Sequence, residues 1–218
     1  MFILINKPKG ITSHDVIDYL RKVTGIRKIG HSGTLDPLAN GLLIVGIGRE
    51  STRQLEKFLK LPKTYLAEIF LGQERDTDDA EGKIISEKKN LQPFPVEKIK
   101  KTLSKFLGEQ KQIPPKFSAI KIKGRKAYQL ARRKKAFQLP PRKITIFQID
   151  LLKYQFPYLK IKVRCSSGTY IRALARDIGY QLECGAYLSN LCRLAIGDFN
   201  LDQAVEINKI DNILKDEH

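Results

Sequence analysis

The segment Tyr158-Leu159-Lys160-Ile161-Lys162-Val163-Arg164-Cys165 alternates residue types without a break, and Ser166-Ser167-Gly168-Thr169-Tyr170-Ile171-Arg172 follows it directly. A period of two puts Leu159, Ile161, Val163 and Cys165 on one face and Lys160, Lys162 and Arg164 on the other, the pattern of a half-buried strand with a basic outer face. Ser166 to Thr169 then predicts the cap of a helix with Ile171, Leu174, Ala175, Ile178 and Leu182 on its apolar side.

Working outward, Thr12 or Ser13 caps a helix carrying Val16, Ile17, Leu20 and Val23 at helical spacing. Residues 30–41 read as a glycine-punctuated loop, and 42–47 as a short apolar strand. A helix follows with Leu55, Phe58 and Leu59 inward, ended by Pro62. Residues 65–71 predict a strand, 74–82 an acidic turn, the neighbourhood of 83–86 another strand, and the next helix places Ile99, Leu103, Phe106 and Leu107 on one face. Beyond Pro114-Pro115 come a strand at 119–122, a short helix near 127–133 and a strand at 144–150, and a last helix is expected from about Asp202. Strands and helices alternate without a regular crossover period. The expectation is therefore an α+β fold, a mixed and largely antiparallel sheet flanked by helices, not a doubly wound one.

Of the 218 residues, 42% are apolar, enough to build a domain-sized core and to exclude disorder. The length suits one domain carrying an insertion. The longest apolar run, 42–47, falls well short of the roughly 18 to 20 residues that span a bilayer. Residues 1–6 are apolar with no basic segment before them, the wrong order for a secretory signal, so a cytosolic address is expected. Cys165, Cys184 and Cys192 are too dispersed for a zinc site and odd in number, and read as buried thiols.

Forty Lys and Arg against 23 Asp and Glu give a formal charge of +17, and its distribution is more telling than its size. Between Glu109 and Asp150 there is no acidic residue, while Lys111, Lys116, Lys121, Lys123, Arg125, Lys126, Arg132, Arg133, Lys134, Lys135, Arg142 and Lys143 all fall there. Solubilising charge alone explains such a stretch poorly, and nucleic acid is the favoured partner. Tyr128 and Phe137 within it suit either stacking on bases or a place in a core or hinge.

Asp36 lies in Gly30-His31-Ser32-Gly33-Thr34-Leu35-Asp36-Pro37-Leu38-Ala39-Asn40-Gly41. Pro37 pushes it off helical backbone, and Gly33 allows another group to come close, so the carboxylate can be displayed. On these residues alone, an Asp-Pro turn remains the favoured reading, and His31 reads as a packed or solvated histidine. Arg172 changes the weighting. In the first turn of a helix a cation opposes the dipole by about 0.3 to 1 kcal/mol unless an anion offsets it. An aspartate buried beside it would stay ionised, because an adjacent positive charge lowers a carboxyl pKa by about one to three units. Pairing with an acid and pointing to solvent or phosphate carry equal weight at this point. Gly46-Ile47-Gly48 lacks the third glycine of a dinucleotide loop, and no phosphate-binding loop pattern occurs. Asp76, Asp78, Asp79 and Glu81 cluster, but Gly82 stands one place late for a calcium loop beginning at Asp76. With His14, His31 and His218 as the only histidines, a zinc centre is improbable.

The segment 30–41 resembles the catalytic motif of the TruB family of tRNA pseudouridine synthases, and the likeness continues along the chain. It includes Asn6-Lys7-Pro8-Lys9-Gly10, Lys63-Thr64-Tyr65, Asp76-Thr77-Asp78-Asp79, Ile113-Pro114-Pro115, Ser118-Ala119-Ile120-Lys121, Ser167-Gly168-Thr169-Tyr170-Ile171-Arg172 and Leu191-Cys192-Arg193-Leu194. The resemblance implies the pseudouridine synthase fold and isomerisation of a T-loop uridine of tRNA, conventionally position 55, with no cofactor or metal. The N1 glycosidic bond breaks, the uracil turns, and C5 joins the same sugar carbon. Asp36 matches the catalytic aspartate, acting either as a covalent nucleophile or in forming a glycal intermediate. Arg172 matches the arginine that pairs with it, and Asp79 a carboxylate that orients the arginine. Tyr65 matches the aromatic that stacks on the target base, Tyr170 and Leu191 match uracil-pocket contacts, and His31 matches the residue that props the RNA where the base has left.

The same likeness makes residues from about 116 to 143 an RNA-binding insertion, with Lys121, Lys123, Arg125, Lys126, Arg132, Arg133, Lys134, Lys135, Arg142 and Lys143 as its basic contacts. Ser32 and Asn40 replace usual threonines, Cys192 replaces a usual arginine, and Arg53 stands one residue beyond a common basic position. The chain ends soon after the catalytic part, so 1–218 is expected to be one catalytic domain without a C-terminal PUA domain. The expected protein is a monomer acting on the T arm of tRNA. The competing readings are a non-catalytic tRNA-binding protein and a synthase for a different RNA.

Overall fold

The computed structural model describes residues 1–118, 120–122, 124–132 and 137–210. In chain order these form β1 (Phe2–Lys7), α1 (Ser13–Thr24), β2 (Ile29–His31), β3 (Ala39–Ile47), α2 (Arg49–Lys60) and β4 (Lys63–Leu71). Next come β5 (Gln73–Arg75), β6 (Ile84–Glu87), α3 (Val96–Ser104) and β7 (Gly108–Gln112). The basic stretch holds β8 (Lys121–Ile122), β9 (Arg125–Lys126) and α4 (Ala127–Arg132), and leads into β10 (Arg142–Gln155) and β11 (Tyr158–Cys165). The remainder comprises α5 (Ile171–Gln181), β12 (Ala186–Ile196), β13 (Phe199–Asn200) and β14 (Val205–Glu206). The fold is α+β as expected, and no helix among the described residues is long and apolar enough to cross a membrane. The chain divides into two compact units, residues 1–66 with 191–218, and residues 67–190, so that β4 and β12 each contribute to both.

In the first unit, β3 is the axis. It pairs antiparallel with β1 along one edge, while its other edge takes β12 in parallel at one end and β2 antiparallel at the other. Leu43, Val45 and Ile47 pack on one face against Val16, Ile17 and Leu20 of α1, and Leu42 and Ile44 pack on the opposite face with Ile196, Phe58 and Leu61. Burial on both faces is why the strand reads as an uninterrupted apolar run. Each such side chain contributes about 1.5 to 3 kcal/mol on burial. Helix α1 starts where the sequence places it: Thr12 Oγ1 accepts from Asp15 N at 3.1 Å, and Asp15 Oδ2 accepts from Thr12 N at 2.7 Å.

In the second unit, β11 lies between β4 and β10, and β10 pairs on its far side with β7. The opening segment is β11, and its alternation holds: Leu159, Ile161, Val163 and Cys165 are fully buried, and Lys162 and Arg164 are exposed. Ile120, Ala127 and Leu139 form a small core within the basic stretch, joined by Ile122, Phe137 and Tyr170. Phe137 is thus a packing residue.

Several expectations are corrected. The loop predicted over 30–41 is shorter, because Gly30 and His31 belong to β2 and Ala39 opens β3. Leu59 is 38% exposed, since Phe58 fills the last turn of α2 by packing edge-on against Phe2 and Phe199 at 5.0 and 5.5 Å. Helix α3 stops at Ser104, and the following amides of Lys105, Phe106 and Leu107 bond three residues back. That tighter winding rotates Leu107 outward to 49% exposure. Tyr170, not Ser or Thr, stands at the N-cap of α5 and makes no side-chain cap bond, while Ser166 Oγ instead accepts from Thr145 N at 2.9 Å. The helix expected from about Asp202 does not start there: two short 3-10 turns flank Val205–Glu206, which pair with β1, and α-helical backbone is reached only at Ile210. Cys165 and Cys184 are buried thiols, whereas Cys192 is half-buried.

Gly41 combines φ +111° with a close approach of β12. A Cβ there would fall on the backbone of Arg193 in β12. Gly41→Ala is expected to lower unfolding free energy by at least about 2 kcal/mol, measured by urea titration, since it adds a left-handed backbone penalty to a backbone collision.

Candidate active site

Asp36 sits on a loop over residues 32–38 whose backbone is held from several sides. Ser32 N donates to Ile44 O at 2.9 Å, Ala39 N to Asp36 O at 3.0 Å, and Gly10 N to Pro37 O at 2.8 Å. At the start of α1, Ser13 Oγ accepts from Leu35 N at 2.8 Å and donates to Leu35 O at 3.1 Å, clamping the residue before Asp36. Beneath the loop lies Arg193, 1% exposed, whose Nη2 donates to Gly33 O at 3.0 Å and whose Nε donates to Leu42 O at 2.7 Å. Asp36 itself is half-buried.

His31 ends β2 with Nδ1 buried and no hydrogen-bond partner among the described residues. Burial, reinforced by the charges of Arg193 and His14, holds its pKa below the ordinary histidine value. The imidazole is therefore neutral near pH 7. Tyr65 is buried on β4, and Leu191 is buried on β12 in register with Ala39.

The second unit carries the arginine. Arg172 stands in the first turn of α5, which has no acidic residue of its own, and is 6% exposed. Asp79 supplies the countercharge at 3.2 Å from Nη1. Nη1 also donates to Thr77 O at 3.0 Å, and Nη2 to Phe117 O at 3.1 Å. Asp79 is fixed in turn: its Oδ1 accepts from Thr77 Oγ1 at 2.6 Å and Glu81 N at 3.1 Å. Asp78 and Ala80 on either side of it exchange backbone hydrogen bonds with Leu188 of β12.

One helical turn after Arg172, Arg176 makes a second clamp, with Nη1 3.0 Å from Asp78 Oδ2 and Nη2 donating to Ile113 O at 2.8 Å. Asp78 is pushed up to about 6 by burial, against the pull of Arg176 and Arg172. The acidic turn is thus a pair of carboxylates matched to two arginines on one helix face. Tyr170, just ahead of α5, is fixed by reciprocal bonds with the buried Gln112: its N donates to Oε1 at 2.9 Å, and its O accepts from Nε2 at 3.1 Å. Its ring packs against the small core of the basic stretch.

The expected residues therefore fall into two sets, Asp36, His31, Tyr65 and Leu191 in the first unit, and Asp79, Tyr170 and Arg172 in the second. Within the second, Arg172 and Asp79 meet as expected. Of the basic set, Arg125, Arg142 and Lys143 are exposed. Lys121, Lys126 and Arg132 lie on β8, β9 and α4 with side chains outside the described atoms, and Lys123, Arg133, Lys134 and Lys135 lie outside the described residues. Sequence reasoning did not single out Gln112 or Arg176, and named Ser13 only as a helix cap and Arg193 only within a family motif, with no role at the site for either. A lone arginine amid the apolar residues 191–196 was the one available signal.

The solved structure most usefully compared is that of a Cbf5-Nop10-Gar1 complex, at a TM-score of 0.76 and 28% identity, covering 97% of this chain and 53% of that one. An H/ACA RNP bound to a substrate RNA containing 2′-deoxyuridine gives 0.73 and 25%, covering 99% and 55%. The chain thus spans about half the length of those chains. The family model described as TruB family pseudouridylate synthase (N terminal domain) matches residues 21–171. The tRNA pseudouridine synthase B of Protochlamydia amoebophila is 45% identical over 97% of this chain and 80% of its own length. That of Caldanaerobacter subterraneus is 44% identical over 94% and 71%. The chain belongs to the TruB family of pseudouridylate synthases, and its fold is the pseudouridine synthase fold.

Asp79→Asn removes the carboxylate 3.2 Å from the buried Arg172 guanidinium and is expected to cost about 3 kcal/mol of stability in urea unfolding. Asp78 binds its proton more tightly folded than unfolded, so the stability it contributes is present at low pH and is lost as pH rises from about 4 to about 6. The unfolding free energy of Asp78→Asn should therefore gain on that of the unmodified protein by about 3 kcal/mol between pH 4 and pH 7.

Proposed function

We propose that the protein isomerises uridine 55 in the T loop of tRNA to pseudouridine, with Asp36 as the catalytic carboxylate. The observation that carries this reading is the 45% identity to a tRNA pseudouridine synthase B over 97% of the chain, with Asp36 inside the matching segment. The net reaction breaks N1–C1′, forms C5–C1′, releases the C5 proton to solvent and takes one proton from solvent onto N1. It consumes no oxidant, water or cofactor.

In this reading the T arm is the binding element, and the base leaves its stack to reach Asp36. Unstacking costs a few kcal/mol, which stacking on Tyr65 and neutralisation of phosphates by Arg125, Arg142, Lys143 and the rest of the basic stretch offset. Arg172, positioned by Asp79, is the arginine that serves the catalytic carboxylate. Tyr170 and Leu191 are the residues assigned to contact the uracil, which must be held away from water once detached. The loop over 32–38 is held by Ser13 and Arg193, which supports the reading, because a group that must meet a substrate within a fraction of an ångström requires a backbone already in place.

Incubation with tRNA tritiated at uridine C5 tests this. The unmodified protein should release tritium and Asp36→Asn should release none, with release reduced by at least about 10⁴-fold. Binding of tRNA without release by the unmodified protein would assign an RNA-binding role instead, and mapping of the modified nucleotide checks position 55.

A further inference from the structure

On the outer face of the β10–β11 pair, Lys143 alone belongs to the groups above. Direct cross-strand register sets Arg164 opposite Gln148, Lys162 opposite Asp150, Lys160 opposite Lys153, and Tyr158 opposite Gln155. Directly opposed residues share a face. Here that face is the one away from the buried Leu159, Ile161 and Val163. Toward β7 the same face continues with Lys111 opposite Lys143.

Two of these pairs set lysine against lysine, an arrangement that destabilises a sheet. Acids stand near, Glu68 beside Lys153 and Lys160 and Asp150 opposite Lys162, but Asp150 accepts from Gln148 Nε2 at 2.7 Å, and Lys153, Lys160 and Lys162 form no ion pair among the described residues. The face also exposes rings. Tyr158 is 45% and Phe147 48% exposed, and the Arg164 guanidinium lies 5.5 Å from the Phe147 ring centre. The strand register shifts at Phe147 and again at Leu152, the kind of irregularity that re-aims side chains. Beside the hairpin end, a recess of about 320 Å³ is lined by Glu68, Lys153, Gln155, Tyr158 and Lys160. Its size sits at the small end of ligand pockets.

We propose that this face is a second RNA-contact surface, separate from the basic stretch, where Lys153, Lys160 and Lys162 neutralise backbone phosphates and Tyr158 stacks on a nucleotide seated in the recess. A polyanion is the partner that turns two repulsive lysine pairs into favourable ones. The exposed ring beside them supplies the stacking that sequence-tolerant RNA contact uses. Glu68, whose carboxylate accepts from Ser189 Oγ at 3.3 Å, walls the recess as an acceptor for base amino groups. The proposal rests on RNA being the substrate, as above.

The experiment measures tRNA affinity against salt for the unmodified protein, the combined variant Lys153→Gln, Lys160→Gln and Lys162→Gln, and Tyr158→Ala. The triple variant should lower the slope of log affinity against log salt by about 2 to 3 and weaken binding about tenfold near 0.1 M salt. Tyr158→Ala should weaken binding at least about fivefold with the slope unchanged. Because the lysine pairs repel, the free triple variant should melt no lower than the unmodified protein; a lower melting temperature counts against the argument. Unchanged affinity and slope, with tritium release by the unmodified protein intact, overturns this surface and leaves the catalytic reading standing. A reduced slope without tritium release supports the surface and overturns the catalytic reading.

Discussion

A buried guanidinium at a helix N-terminus is an electrostatic demand, and Arg172 makes it on everything around it. The helix dipole repels the charge, α5 offers no acid in its first turn, and burial removes the water that would otherwise solvate it. Asp79 answers from a turn far away in the chain, and two main-chain carbonyls also accept from the guanidinium. For the carboxylate to be there, the turn over 76–79 must be fixed. That explains why Thr77 Oγ1 and Glu81 N both donate to Asp79, why Asp78 and Ala80 bond to Leu188, and why Arg176 grips Asp78 one turn along the helix.

Those features of the fold that follow from local periodicity were legible in the sequence. The alternation in β11, the capping box of α1 and the doubly buried β3 each follow from residues within a few positions of one another. What was missed depended on partners remote in sequence. Strand β12 mixes Ser189, Asn190 and Arg193 with apolar residues, so neither period of two nor of 3.6 is clean. Val205 and Glu206 pass for part of a helix until the open edge of β1 claims them. The extended helical face projected through Leu107 failed because three amides after Ser104 bond three residues back instead of four, a choice made by packing and invisible to periodicity.

The site divides in the same way. Asp36, Arg172 and Asp79 are candidates because the family motif marks them, and for Arg172 because helix electrostatics independently asks for an anion. Residue identity alone favoured a simple Asp-Pro turn. Tyr170 was expected as a pocket residue, yet its backbone is fixed by Gln112 and its ring joins Ile120, Ala127 and Leu139. It couples the start of α5 to the basic stretch, a role no spacing rule announces.

Arg193 and Arg172 show why these supports were hard to foresee. Loops outside regular structure leave carbonyls without partners, and a buried carbonyl lacking a donor costs about 1 to 3 kcal/mol. A guanidinium meets this need better than an ammonium, because its planar fork sends several N–H groups in fixed directions. Arg193 reaches Gly33 O and Leu42 O from one side chain, and Arg172 reaches Thr77 O and Phe117 O while keeping its charge against Asp79. Each arginine thereby converts a flexible segment carrying a carboxylate into one with a single backbone geometry. The donors come from remote strands and helices, so the precision of the candidate site is a property of the tertiary fold, whereas the acids it holds are named by the chain itself.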